Sequence, residues 1–203
     1  MRLWIYGPSG NCYKARMLCA QLGIEVEVRN PGPRTQGRLP EFLALGHAGR
    51  VPLLQLDDGR TLSESDAILC YLAEGTPLWP TERFERAQVL QWMFFEQNML
   101  EPYLATARFR RRVGTWDDLP EAQREQIRQR GYEALGVMER HLAGGAEWFA
   151  AGRYTVADVA LFGYGHVAEE GGFELAEFPQ IRAWIARVKR QPGWLPLADL
   201  IPA

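Results

Sequence analysis

The spacing of apolar residues in the first part of the chain alternates between short strand-like runs and helical repeats. Leu3–Tyr6 is apolar and β-prone, and it stops at the turn formed by Gly7 and Pro8. A helical face follows, with apolar residues at i, i+3, i+4 and i+7: Ala15, Leu18, Cys19 and Leu22. Gly23 is placed to end this helix, because glycine readily adopts the left-handed conformation found after helix C-termini.

Further elements continue this alternation up to residue 74. They are a strand at Glu25–Val28, a short helix at Leu39–Leu45, a hairpin formed by Val51–Leu56 and Thr61–Leu62, and a helix at Glu64–Ala73. Asp58 and Gly59 occupy the hairpin turn, where a residue pair of this type is favoured. The order βαβαββα is that of a thioredoxin-like layer and predicts an α/β domain over residues 1–74.

The rest of the chain is predicted to be all-helical. Residues 75–81 contain Pro77 and Pro80, which interrupt the periodicity and predict a linker. A C-terminal helical bundle is expected over residues 82–203. Its first helix, Glu82–Arg112, is apolar on several faces near its centre, which indicates burial between domains, or contact with a second subunit or an acceptor pocket. Later helices are predicted around Ile127–Leu142, from Thr155, and around Ile181–Val188.

Composition narrows the range of functions. The chain has 203 residues, 47% apolar and 24% charged, with a net charge of −2. Such a balance provides no strong field for nucleic acid or an anionic membrane. We find no signal-peptide pattern and no apolar run of the roughly 20 residues that a membrane span needs. The three cysteines and three histidines show no metal-ligand spacing, so we expect a cytoplasmic protein without a metal site.

The first chemically suggestive segment follows the opening strand and reads PSGNCYKAR, Pro8–Arg16. Its turn places small polar side chains at the N-terminus of a helix, where backbone N–H groups and the helix dipole favour an anion. Ser9 or Asn11 could equally serve only as a helix cap.

Two further segments contribute polar groups to the same domain. Val51 and Pro52 begin a strand, preceded by Arg50. At the start of the next helix, Ser63 followed by Asp66 predicts a capping box. In the helical half, Thr155 and Asp158 predict a second capping box, with Tyr154 and Val159 as its hydrophobic staple, to which we assign no chemistry.

Together and in this order, the four segments resemble the cytosolic glutathione transferase superfamily, in particular bacterial theta- or nu-like members with a serine in the first loop. The resemblance implies glutathione as co-substrate with no other cofactor, a small hydrophobic electrophile as acceptor, a detoxification role and a homodimer. Ser9, Asn11 and Cys12 are then the candidate catalytic residues.

The resemblance also implies the glutathione contacts. A cis Val51–Pro52 bond would present the Val51 backbone to the cysteinyl unit, while Glu64 and Ser65 would bind the ammonium and α-carboxylate of the γ-glutamyl unit. The candidates for the glycyl carboxylate are cationic: Arg34, Arg38, His47 and Arg50. The candidates for the acceptor pocket are Pro8, Tyr103, Phe109 and Trp116, with Arg108 or Arg111 attracting anionic acceptors at its mouth.

Other functions are compatible with the same segments. Asn11 resembles the asparagine of bacterial glutathione-dependent disulfide reductases, and Cys12 near a helix N-terminus would suit a disulfide oxidoreductase or peroxidase. Zeta-class isomerases also carry a serine-rich loop at this place, although the pattern here departs from theirs. Transferase-like domains can also be non-catalytic interaction modules, which often lose the glutathione site.

Overall fold

The computed structural model describes residues 1–32, 37–45 and 49–201, and the chain divides into two compact units. One unit comprises Met1–Thr76 together with Gln191–Ala203, and the other comprises Pro77–Arg190. The predicted linker, 75–81, includes the point at which the chain passes from the first unit to the second. The predicted helical domain, 82–203, differs from the observed units, because its last residues group with the first unit.

A four-stranded mixed sheet forms the centre of the first unit. Its strands are β1 (Arg2–Trp4), β2 (Glu27–Arg29), β3 (Leu53–Gln55) and β4 (Thr61–Ser63), in the order β2-β1-β3-β4. β1 pairs in parallel with β2 and antiparallel with β3, which forms the predicted hairpin with β4. The thioredoxin-like prediction is confirmed.

The described part of this unit contains the α-helices α1 (Gly10–Gln21), α2 (Pro40–Leu43) and α3 (Ser65–Ala73), and a short 3₁₀ helix at Leu197–Asp199. α1 ends as predicted, with Gly23 at a φ of 65°. The N–H of Ile24 donates to the Cys19 carbonyl at 2.8 Å and that of Gly23 to the Ala20 carbonyl at 3.3 Å. These two bonds form a Schellman motif, which satisfies carbonyls that the end of the helix would leave unpaired.

Side chains alternate across the sheet, so that adjacent residues of β1 are buried on opposite faces. Trp4 lies opposite Leu53 in register, and both pack with Phe42 of α2, whose ring centroid is 5.5 Å from that of Trp4. Leu3 and Leu54 are the next register pair, and both are fully buried. Burial on both faces fixes the register, because a shift by one residue would exchange the two sets.

The segment after Arg190 packs against α1. The Tyr13 hydroxyl donates to the Leu195 carbonyl at 2.6 Å. Gly193 lies so close to the end of α1 that an added Cβ would be 2.6 Å from the Ala20 carbonyl oxygen. Such contacts leave no periodic pattern in the local sequence. The sequence-based prediction therefore included this segment in the helical domain.

Helices make up the second unit. They are α4 (Arg83–Phe95), α5 (Glu101–Arg112), α6 (Glu121–Ala143), α7 (Val156–Gly165) and α8 (Pro179–Val188), with a short 3₁₀ helix at Ala168–Gly171. Among the helices of the described residues, none is both long enough and apolar enough to span a membrane.

A π-helical segment, Glu96–Leu100, joins α4 to α5, so the predicted long helix is interrupted at its centre. The N–H of Glu101 donates to the Glu96 carbonyl, five residues earlier. Pro102 explains the wider turn, because its ring lacks an N–H and would clash with the carbonyl four residues before it in a regular α-helix.

The capping box at the start of α7 is confirmed. The Thr155 side chain accepts from the first turn of the helix, and the Asp158 carboxylate accepts from the Thr155 N–H at 3.0 Å. Asp158 is fully buried and also accepts from Trp184 Nε1 at 3.0 Å and from the Phe149 N–H at 3.3 Å. It therefore connects α7 to α8 and to the loop before α7.

Candidate functional site

Ser9 caps the N-terminus of α1. Its Oγ accepts from the N–H of Cys12 at 3.3 Å, and its carbonyl accepts from the N–H of Tyr13 at 3.0 Å. A hydroxyl has two lone pairs and one hydrogen, so accepting the Cys12 N–H does not use the Ser9 hydrogen, which can be donated either to the Cys12 thiol or to a bound thiolate. The capping role and the predicted thiol-binding role are therefore compatible.

Cys12 lies under this turn rather than at its surface. Its side chain is fully buried, and its Sγ accepts from the Tyr6 N–H at 3.5 Å. Burial raises the pKa of the Cys12 thiol to about 11, although hydrogen bonds from Tyr6 and Ser9 and the charge of Arg38 act in the opposite direction. At neutral pH this cysteine is a protonated thiol.

Polar side chains from α1 and α3 meet beside Asn11. The Ser65 hydroxyl, at the first residue of α3, lies 3.4 Å from Asn11 Oδ1. Lys14 Nζ lies 3.5 Å from the same hydroxyl and 3.3 Å from Asp66 Oδ1. The structure thus brings two predicted site residues, Asn11 and Ser65, into direct contact, and it places the Lys14–Asp66 pair, which was not predicted, beside them.

The predicted capping box of α3 is wrong. The N-cap residue is Glu64 rather than Ser63, and among the described residues no side chain caps this helix. Asp66 pairs instead with Lys14, because a buried ammonium attracts the carboxylate more strongly than the backbone of Ser63 does. The first N–H groups of α3 therefore lack a side-chain partner within the described part of the chain.

Glu64 has an unusual backbone conformation, with a φ of 68° and a ψ of 119°. Residues other than glycine seldom adopt a positive φ, and such strain is concentrated at functional sites. Its side chain is exposed, directly before the buried Ser65. The conformation places a carboxylate beside a helix N-terminus.

Comparisons with known proteins identify the family of the chain. The protein-family model described as glutathione S-transferase, N-terminal domain, matches residues 8–74 of the sequence. The family model of the C-terminal domain matches residues 121–187. The chain belongs to the glutathione S-transferase family. The C-terminal match covers the α7 capping box, and the N-terminal match covers α1 and α3.

Individual relatives in this family extend over nearly the whole chain. The glutathione S-transferase-like protein LUC7 of Fusarium is 30% identical over 196 residues, 92% of this chain and 87% of that protein. The disulfide-bond oxidoreductase YfcG of Escherichia coli is 28% identical over 93% of this chain and 90% of its own. The crystal structure of a possible glutathione S-transferase from Rhodopseudomonas palustris is 45% identical, with a TM-score of 0.91 and 97% of both chains covered.

Glutathione S-transferases use glutathione as a co-substrate. The Val51–Pro52 bond is cis, as predicted, and so is the Gly7–Pro8 bond. Pro52 is buried, Val51 is half-buried and Arg50 is exposed. Within the described residues, no group of three or more histidine, cysteine or acidic side chains is placed to hold a metal ion.

The Arg38 guanidinium donates hydrogen bonds to backbone carbonyls of neighbouring loops. Its Nε donates to the Gly49 carbonyl at 3.3 Å, and its Nη1 donates to the Gly32 carbonyl. The guanidinium also lies 5.5 Å from the Tyr6 ring centroid. Arg38 therefore ties two loops together around the first turn. Of the other cationic candidates for the glycyl carboxylate, Arg34 and His47 lie outside the described residues.

The acceptor-pocket candidates have different surroundings. Pro8 is half-buried in the first unit, and Tyr103 is half-buried on α5 of the second. Phe109 is 60% exposed, whereas Trp116 is 8% exposed and lies under the Arg111 guanidinium at 4.6 Å. Arg stacking over a buried indole stabilises the unit itself.

Arg108 has a structural partner. It is 5% exposed, and its Nε donates to Glu170 Oε2 at 2.8 Å. Arg111 likewise donates to the Gly171 carbonyl at 3.0 Å. Both arginines hold the 3₁₀ helix Ala168–Gly171 against α5, which is a different role from the predicted capture of anionic acceptors.

Sequence reasoning missed Lys14. It belongs to the Pro8–Arg16 segment, and its spacing of four residues from Gly10 and from Leu18 places it beside buried residues on one face of α1. The available signal was a lone lysine in an otherwise apolar helical face. That signal could not identify Asp66, because the pair joins residues 52 positions apart.

Proposed function

We propose that this chain is a glutathione transferase in which the Ser9 hydroxyl stabilises the thiolate of bound glutathione for attack on a small apolar electrophile. The observation that carries the proposal is the meeting of the α1 and α3 N-termini, where Asn11 and Ser65 are in contact at 3.4 Å. Ser9 lies two residues before Asn11, so a tripeptide bound at Ser65 has its sulfur directed toward the same turn.

Each part of glutathione has a proposed partner. The α-carboxylate of the γ-glutamyl unit takes the N–H groups at the start of α3 together with the Ser65 hydroxyl, and Glu64 takes the α-ammonium. The cysteinyl unit pairs with the Val51 backbone in the manner of an added strand. Arg50, which is exposed, and Arg38 are the described candidates for the glycyl carboxylate.

Thiol activation follows from hydrogen-bond energetics. A free thiol has a pKa of about 8.5, so only a few per cent is ionised at neutral pH. A hydrogen bond to a charged acceptor contributes about 1.5–3 kcal/mol, which corresponds to roughly one to two pKa units. One donated bond from Ser9 would therefore make the thiolate a major form of bound glutathione.

The experiment replaces three side chains one at a time. Ser9→Ala, Asn11→Ala and Cys12→Ala would each be assayed with a nitroaromatic halide, with glutathione binding followed by calorimetry. We expect Ser9→Ala to lower kcat/KM at neutral pH by about 10-fold to 100-fold, with little change in glutathione affinity, because it removes thiolate stabilisation. The loss should shrink as the pH rises through the pKa of the free thiol.

Cys12→Ala is the matched control, since its thiol is buried and protonated. We expect this variant to retain most of the transferase activity. If only Cys12→Ala abolishes turnover, the assignment of Ser9 is wrong. If the wild-type chain fails to bind glutathione at millimolar concentration, the interaction-module alternative replaces the enzyme.

A second candidate function is glutathione-dependent disulfide reduction. Two observations favour it: the similarity to YfcG, and the position of Asn11 in contact with the Ser65 hydroxyl. Here the glutathione thiolate attacks one sulfur of a disulfide and displaces the other as a thiolate. Assaying the same three variants with a glutathione mixed disulfide separates the functions. Asn11→Ala would then lose more activity than Ser9→Ala.

A further inference from the structure

Lys14 carries a charge in the interior of the first unit. Its side chain is fully buried, whereas lysine is almost never buried without a partner. Asp66 Oδ1 lies 3.3 Å from Lys14 Nζ. Replacing a buried ion pair by apolar residues is often neutral or stabilising, so stability alone is a poor explanation for this pair. Its position beside Ser65 suggests another reason.

The Ser65 hydroxyl has a constrained hydrogen-bond geometry. Lys14 Nζ, 3.5 Å away, can only donate and so occupies a lone pair of the Ser65 oxygen. Asn11 Oδ1 and Asp66 Oδ1, at 3.4 and 3.5 Å, accept the hydroxyl hydrogen. The ammonium therefore holds the single Ser65 hydrogen on the side away from Lys14, where an oxygen of a bound carboxylate could accept it in place of Asn11 or Asp66.

The same pair balances charge at this subsite. Asp66 Oδ2 is buried and has no hydrogen-bond partner among the described residues. The Asp66 carboxylate therefore depends on Lys14 for its compensation. Without the ammonium, the negative charge of Asp66 would lie one residue from Ser65, at the start of α3. It would then repel the α-carboxylate of a γ-glutamyl unit that binds Ser65.

We propose that Lys14 is a positioning residue that acts through Ser65 and Asp66 to make the start of α3 receptive to the α-carboxylate of the γ-glutamyl unit. The proposal rests on the proposed function, because it assumes that this carboxylate binds at Ser65. It differs from a structural role in one measurable respect. Only ligands that carry the carboxylate should respond to the charge of the pair.

The test compares two ligands by calorimetry. One is glutathione, and the other is its analogue with 4-aminobutyryl in place of γ-glutamyl, which lacks only the α-carboxylate. The measured quantity is the Kd of the analogue divided by the Kd of glutathione. A loss of folded protein weakens both ligands equally and leaves this ratio unchanged.

Four proteins cover three formal charges of the pair. Asp66→Asn leaves +1, the wild type and the Lys14→Met/Asp66→Asn double variant leave 0, and Lys14→Met leaves −1. We expect the Kd ratio to follow this order, with Lys14→Met lowering it about 10-fold or more relative to the wild type, as for a like charge within 4–6 Å. Lys189→Met, which removes the exposed lysine after α8, should leave the ratio unchanged.

Three results would overturn the proposal. The first is an identical ratio in all four proteins, with both affinities falling together, which would make the pair structural. The second is a double variant with the same ratio as Asp66→Asn, a comparison that decides even if Lys14→Met does not fold. The third is a wild-type chain that binds neither ligand, which contradicts the proposed function as well.

Discussion

His166 ends α7 in surroundings that oppose its protonation. Its ring stacks on that of Phe162 with 4.3 Å between centroids, and its Nδ1 hydrogen bonds to the Phe162 carbonyl. Desolvation lowers the pKa of the imidazole to about 4; the charges of Lys189 and Arg108 act in the same direction, and Glu170 acts in the opposite one. The folded state therefore contains neutral His166 at every pH above about 5.

This lowered pKa predicts a pH-dependent loss of stability. The unfolded histidine titrates near pH 6.5, so the unfolded state binds more protons between pH 6.5 and 4, and folding stability falls as the pH decreases through that window. We expect the wild type to lose about 3 kcal/mol more than His166→Gln between pH 7 and 4, measured by chemical denaturation. Parallel curves for the two proteins would contradict the assignment.

Substitution of Glu64 can show whether this residue, despite its strained backbone, contributes to glutathione binding. Its φ of 68° favours glycine, so Glu64→Gly should raise the free energy of unfolding by up to about 1 kcal/mol while weakening glutathione binding about 10-fold. Ala151→Gly is a matched control, because Ala151 has a φ of 55° but lies in the second unit. It should gain similar stability without loss of glutathione affinity. Equal affinity losses in both variants would disprove a binding role.

At the scale of the element, α7 depends on one carboxylate. Asp158 accepts from Thr155, Phe149 and Trp184, and burial raises its pKa to about 7 while these hydrogen bonds oppose the shift. Asp158→Ala leaves the N–H groups of Thr155, Phe149 and the Trp184 indole without this acceptor and should cost more than about 3 kcal/mol. Thr155→Ala removes a single cap and should cost about 1 kcal/mol. Denaturant titration compares them, and similar costs would refute this hierarchy.

Local signals predicted most of the elements, and long-range pairs account for the exceptions. The hairpin at Gly59, the end of α1 at Gly23 and the capping box at Thr155 depend on residues only a few positions apart, and all three were predicted. The start of α3 was predicted to within one residue, but its capping box was wrong, because Asp66 pairs with Lys14, 52 residues away. The chain pattern at Ser63 contains no information about that partner.

Local signals likewise identified candidate site residues at helix ends but not the long-range partners of charged side chains. Ser9, Asn11 and Ser65 were selected from helix N-termini, and the structure brings Asn11 and Ser65 into contact. Arg38 and Arg108 were selected for their charge alone, and both bind groups of the protein itself. A cation in a sequence reveals its sign but not its nearest acceptor, which is fixed only when the chain folds.

At the scale of the whole chain, the segment after Arg190 returns to the first unit, and Gly193 marks its closest approach. An added Cβ would lie 2.6 Å from the Ala20 carbonyl oxygen and 2.7 Å from the Gln21 Cα, where backbone atoms cannot move independently. Steric overlap and a φ of 70° both oppose alanine at this position. The segment therefore depends on a glycine that no helix or strand pattern requires.

Gly114→Ala is a control for the energetic cost of placing alanine at a positive φ. Gly114 has a φ of 71°, and an added Cβ meets nothing within 4 Å among the described residues. Both alanine variants pay about 1–2 kcal/mol for the left-handed conformation. Gly193→Ala should lose roughly 2 kcal/mol more, as in an overpacked site, and amide hydrogen exchange in α1 should accelerate. Denaturant titration with exchange mass spectrometry measures both effects. If the variants lose equal stability and α1 remains protected, the contact with Ala20 contributes nothing, and the segment is held by Tyr13 and Leu195 instead.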